Sequence, residues 1–280
     1  MAGAVGRLVG CDTAVQREPV THCDTSPVLR GIEQIDWSKH NHAFGPADDL
    51  PRLLHDVASG GAAADRAVSD LFGTIWHQGT VYDASSVAVP FLGELAASND
   101  VDVEIRYLLL ALIFAIGRGK GYWQVHARAG SRHGHLPADL ATVLEAESRT
   151  VRACRQAVQQ VANELLENLS TWPDRLWLSV VGLVVVAGEV GSALLDGVVA
   201  EASRRLPPFG AVGVATIAEL VTLGTTSSGQ VDALAALDSE LADFVEDFSD
   251  GGGLDLSLDS YFVDVLVERL CDTNGGGDRV

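Results

Sequence analysis

Along most of the chain the apolar positions recur every three or four residues, the spacing that lays one stripe along a helix. In ADDLPRLLHDVAS (47–59), Leu50, Leu53, Leu54 and Val57 share a face. Gly60-Gly61 predicts a tight turn, after which Ala64, Ala67, Val68, Leu71 and Phe72 form the next stripe. A third helix is predicted over 84–98, with Pro90 inside it. The turn Ser98-Asn99-Asp100 leads into VDVEIRYLLLALIFAIG, which is apolar almost all round and therefore predicts an inner helix. Residues 118–137 are polar and predict a link. An amphipathic stretch over 138–169 is stopped by Thr171-Trp172-Pro173-Asp174, and an apolar helix then runs to Gly188. Further helices are predicted over 192–206, 210–224, 231–248 and 258–270. No segment predicts a strand.

The pattern amounts to about ten helices joined by short turns, with pairs recurring at roughly forty residues, the period of helical-hairpin repeats. One hairpin cannot bury its apolar faces alone, but a stack of neighbours can. The expected fold class is all-α: a right-handed α-solenoid of about five hairpins over residues 28–272. A loosely ordered arm (1–27) and a flexible tail (273–280) are expected to flank it. The turn Asn99-Asp100-Val101-Asp102-Val103-Glu104-Ile105-Arg106, with Pro90 in the helix before it, resembles the HEAT-repeat (armadillo-like) family. That resemblance implies an Asp in the turn bridged to an Arg at the start of the second helix. Narrower strings resemble actinobacterial HEAT-like proteins of unassigned function: Asp36-Trp37, His42-Ala43-Phe44-Gly45, His77-Gln78-Gly79-Thr80-Val81-Tyr82 and Val89-Pro90-Phe91-Leu92. That family implies the fold and no activity.

Composition changes the picture at one end. Nineteen basic residues against 38 acidic ones leave a formal net charge of −19. The interval between Arg205 and Arg269 contains no Lys or Arg and twelve acidic residues. Such a field repels phosphate backbones, which argues against nucleic acid as a partner and favours a basic partner or a cation; the competing reading is a solvated acidic surface that keeps the protein soluble. The most apolar run, 176–188, is too short to span a bilayer, so no membrane association is expected. No signal peptide is expected either: Arg7 interrupts what apolar sequence the N-terminus has, and the expected location is cytoplasmic. Cys11, Cys23, Cys154 and Cys271 have no metal-binding spacing and predict free, inert thiols.

Candidate chemistry gathers in the links. If 59–61, 98–101 and 170–173 are turns inside hairpins, then 36–46, 73–83 and 118–137 lie together on the opposite edge. Those three segments hold six of the eight histidines and three of the five tryptophans. Polar links carrying rings and imidazoles are the default place for a ligand or partner. The expected binding residues are Trp37, His40, His42, Phe44, Trp76, His77, Gln78, Tyr82, Tyr122, Trp123 and His126. The competing reading makes Trp76 and Tyr82 caps of the core, with His77 hydrogen-bonded to a backbone carbonyl.

His40-Asn-His42 and His133-Gly-His135 have a spacing that can bring two imidazoles to one metal, with Asp36, Asp48 or Asp83 as a third ligand. No ligand-dense helical motif supports it, and Asp247–Asp255 lacks the closing Glu of a calcium loop. No metal or cofactor is expected. Nucleophile elbows, phosphate-cradling loops and dinucleotide fingerprints are absent. The expected function is a cytosolic binding or adaptor protein, in an immunity or regulatory role, that recognises a basic protein through the His/aromatic edge and the acidic C-terminal surface. The alternative is an enzyme of bacterial specialised metabolism acting on a small molecule at that edge through His42, His77, Tyr82 and Asp83.

Overall fold

The computed structural model describes residues 29–133, 136–249 and 253–275. The expected N-terminal arm and most of the expected tail lie outside these residues, as do Cys11, Cys23, His135 and the side chain of His133. The described chain is all-α apart from two very short β-hairpins. Helices α1 (Leu50–Ser59) and α2 (Gly61–Thr74) form the first helical hairpin, turned by Gly60 at φ 75°. The four predicted stripe residues of α1 are all buried. Helices α3 (Asp83–Ala97) and α4 (Val103–Arg118) form the second, and α1 packs on α3 while α2 packs on α4.

After α5 (Tyr122–His133) comes the longest helix, α6 (Leu140–Glu167), of 28 residues. It lies chiefly across α3, with a second contact on α4. Gly93 of α3 makes the close approach feasible: a Cβ there would sit 2.5 Å from Val161 Cγ1 on α6. Helix α7 (Asp174–Gly182) packs against α4 and against the last helix, α12 (Tyr261–Gly275). Between them α8 (Ser192–Arg205) pairs with α9 (Pro208–Leu223), followed by α10 (Ser228–Ala235) and α11 (Ser239–Ser249). One continuous apolar core runs from Leu29 to Leu270. No helix among the described residues is long and apolar enough to cross a membrane.

The sequence reading needs correction in four places. Strands exist where none was predicted. β1 (Asn41–His42) pairs with β2 (Gly45–Pro46), and β3 (Trp76–His77) with β4 (Thr80–Val81). Each strand is two residues long, too short for an alternating pattern to register. The second hairpin turns at Gln78 (φ 51°) and Gly79 (φ 84°), both left-handed, as a type I′ turn requires. The polar insert is also no simple link, because it contains α5. That helix is capped from a distance, the Glu147 carboxylate on α6 accepting from Trp123 N at 2.8 Å and Gln124 N at 3.1 Å. The only local start signal is Gln124, whose side chain accepts from Gly121 N at 3.0 Å, and without a Ser, Thr, Asp or Asn before the helix it is a weak one.

The predicted helix 231–248 is broken between α10 and α11 by Asp238. Its carboxylate accepts from Leu241 N at 2.8 Å and pairs with Arg269 of α12 at 2.7 Å. The bridge expected at the second turn is also built differently. Arg106, which is buried, donates to Ala96 O at 2.7 Å and Asn99 Oδ1 at 3.1 Å, and lies over the Trp172 ring. Asp102 instead caps α4, accepting from Glu104 N.

Candidate functional site

The three links do meet. Ala43 N donates to Thr74 O at 3.0 Å, and Asn41 N donates to Asp83 Oδ1 at 3.1 Å, which ties the leading loop to the second link. Val81 N donates to Lys120 O and Lys120 N to Gly79 O, both at 3.0 Å, which ties the second link to the third. Backbone pairing of adjacent loops is what places these side chains on one edge.

The rings meet only in part: Phe44 lies 6.2 Å from His42 and 5.6 Å from His77, and Trp37 lies 6.4 Å from His40. Trp37 is in the core, its indole N–H donating to Ile32 O and its ring 6.1 Å from that of Phe91. His40 faces Asp83 at 3.5 Å. His42 is buried and spent on both sides: Nδ1 accepts from Phe44 N at 3.0 Å, so Nε2 carries the proton it donates to Asp49 Oδ1, also at 3.0 Å. His77 Nδ1 donates to Gly73 O at 3.1 Å, the backbone anchorage of the competing reading. Thr80 uses its one hydroxyl hydrogen on His77 O, so the Tyr82 hydroxyl donates to Thr80 Oγ1 at 2.9 Å. Among the described residues no hydrogen bond joins any two of His42, His77, Tyr82 and Asp83.

Phe44 is the open member of this set, 72% exposed, with its ring edge-on to His77 at 5.6 Å. On α5, Tyr122 stacks with Trp123 and His126 as a separate cluster, at ring distances of 5.2 and 4.5 Å. Behind the edge, Cys154 donates to Tyr82 O, and burial pushes its thiol up to about 12. No group of three metal-ligating side chains is found among the described residues.

Trp76 and Gln78 turn the other way and border a groove the sequence reading did not predict. Its volume is about 680 Å³, within the range of small-ligand sites. Helix α4 forms one wall through Tyr107, Leu108, Ala111 and Phe114, and α12 forms the other; Ser179 of α7 lies between them. Arg118, at the end of α4, closes one end. It donates to Asp264 Oδ1 at 2.6 Å, to Leu258 O at 3.0 Å and to Ser260 O at 2.9 Å. At the other end Tyr107 is close to Cys271 and Asp272, so α4 and α12 run antiparallel across the groove.

The electrostatics of the α12 wall are one-sided. Asp264, Glu268 and Asp272 recur every four residues, one face of α12, and all three border the groove. Burial raises the Tyr107 phenol to about 12, and Cys271, Asp272, Glu268 and Glu104 push it the same way. Burial likewise lifts the Cys271 thiol to about 11, against the lowering effect of its hydrogen bond from Ser179. Both groups are therefore neutral near pH 7. Two signals for this groove were present in the sequence: the acidic period on α12, and a Tyr inside a helix otherwise apolar all round.

Comparison of the chain with protein-family models, with curated proteins and with solved structures returned no match in any of the three.

Proposed function

We propose that the chain is a binding or adaptor protein that recognises a basic protein partner through the acidic surface of α11 and α12, in an immunity or regulatory role in the cytoplasm. One observation carries the reading. Phe244, Phe248 and Tyr261 form an aromatic cluster with ring distances of 4.6 to 6.5 Å, and Phe248 and Tyr261 are exposed. Asp243, Glu246 and Asp247 on the same helix, α11, and Asp259 just before α12 are exposed. Clustered aromatic anchors inside a charged rim are the usual anatomy of a binding hot spot, and acidic complementarity favours a basic partner.

Exposed Phe44 and Tyr122 offer a second contact on the loop edge. The stacking of α1 on α3 and α2 on α4 is what the first two hairpins of a HEAT-like solenoid would show, and the proposal takes the whole to be a right-handed stack of about five, similar to actinobacterial HEAT-like proteins. Free Cys154 and Cys271 suit a reducing compartment.

The test is retention of a partner from extract of the native host by the full chain, compared with the Phe248→Ala/Tyr261→Ala double variant. A basic protein held at low salt, released at high salt and lost with the double variant is the expected result. No retained protein, or retention indifferent to both salt and the substitutions, would overturn the reading.

A further inference from the structure

The groove between α4 and α12 borders the aromatic surface through Tyr261, and beyond that residue it has a chemistry of its own. From Tyr107 to Arg118 the α4 wall runs about 16 Å at the rise of an α-helix. Along it Leu108 is exposed although it sits on a helix otherwise committed to the core. The groove's charges are unevenly placed, with its cations at one end. Arg118 is spent on Asp264 and two carbonyls, and Lys120 lies at that same end. Glu268 and Asp272 lie at the Tyr107 end and are exposed, the two carboxylates nearest its ring on α12.

We propose that this groove is a binding site for a small hydrophobic amine. Its apolar body lies along Leu108, Ala111 and Phe114, and its ammonium sits at Tyr107 between the carboxylates of Glu268 and Asp272. Three physical arguments select that class. Apolar surface along the bed rewards a hydrocarbon body in proportion to the area it covers. An ammonium at the Tyr107 end gains two carboxylates and an aromatic ring, the combination that holds organic cations elsewhere. An anion there would meet the same carboxylates as repulsion; Arg269, beside Asp272, is committed to Asp238 and Glu240, and Lys120 lies past the far end of α4, roughly 16 Å or more along that wall, about two screening lengths at physiological salt. The neutral Tyr107 phenol adds no charge to oppose the ligand.

The experiment titrates the full chain with octylammonium, octanol and octanoate, read by calorimetry and by the fluorescence of Trp76, which borders the groove. Octylammonium is expected to bind, octanol about tenfold more weakly or worse, and octanoate not measurably. The Glu268→Gln/Asp272→Asn double variant changes two exposed side chains. It is expected to lower octylammonium affinity by about tenfold and leave the weak octanol binding unchanged. Ala111→Trp, which fills the bed, is expected to abolish binding of both the amine and the alcohol. Equal affinity for the amine and the alcohol, undiminished amine binding by the double variant, binding that survives Ala111→Trp, or no binding at all would each overturn the proposal.

Discussion

The loop edge and the α4–α12 groove make opposite use of their polar residues. The edge is rich in imidazoles and indoles, yet its geometry spends those nearest the core. His42 is bonded through both nitrogens, His77 holds a backbone carbonyl, and Trp37 is buried with its N–H satisfied. The groove's lining contains no histidine, and of its carboxylates Glu268 and Asp272 are exposed while Asp264 is bonded to Arg118. A residue's type states which bonds it can make. Whether those bonds are already made decides if it is available to a ligand.

Four substitutions test that contrast. Arg118→Met should have the largest effect, since Arg118 closes the groove and ties α4 to the loop before α12. Removing it leaves partly buried Asp264 and two carbonyls without their donor, a loss of about 3 kcal/mol by urea denaturation. Asp238→Asn, which weakens the pair holding α12 against α10 and α11, should cost about 2 kcal/mol at pH 7.

The Asp238 effect carries its own pH signature. Burial alone would raise the Asp238 pKa, but the bonds from Arg269 and Leu241 N outweigh it and leave the folded value below the ordinary one. The stabilisation is therefore complete above the unfolded value of roughly 3.9 and fades as pH falls through the folded value. The gap between parent and variant should shrink below about pH 4, measured by denaturation at each pH. A gap constant down to pH 3 would remove the ion pair as its cause.

His42→Ala should cost about 1–2 kcal/mol, because the Asp49 carboxylate and the Phe44 amide each lose a partner. A thermal midpoint unchanged by that substitution would mean that the edge is not closed in the way its hydrogen bonds imply. Phe44→Ala should have the smallest effect, within about 0.5 kcal/mol, since the ring is mostly solvated. A larger loss would show that Phe44 packs against something in solution, and would move the edge toward the open side of the contrast.

Much of the architecture was legible in the chain. The stripes of α1 to α4, the Gly60 turn and the long amphipathic α6 follow from local periodicity, which reports burial directly. Adjacency of the three links also followed, because hairpin geometry alternates turns between two edges, and paired backbone at residues 80 and 120 bears it out. The β-hairpins escaped because two-residue strands have no period, and α5 because its cap, Glu147, lies on another helix. Asp238 read as one more acid in a helical run until Arg269 gave it a partner.

By itself, then, the sequence determined that this is an α-helical chain with an acidic C-terminal quarter and its rings concentrated in the links. These are properties of spacing and count. Only the tertiary structure decided which of those groups remain free, because a hydrogen bond to a carbonyl distant in the chain has no local signature. It also decided that α4 and α12, more than a hundred residues apart, face each other across a groove. Such a pairing is set by the packing of both helices on α7, and no segment of the sequence records it alone.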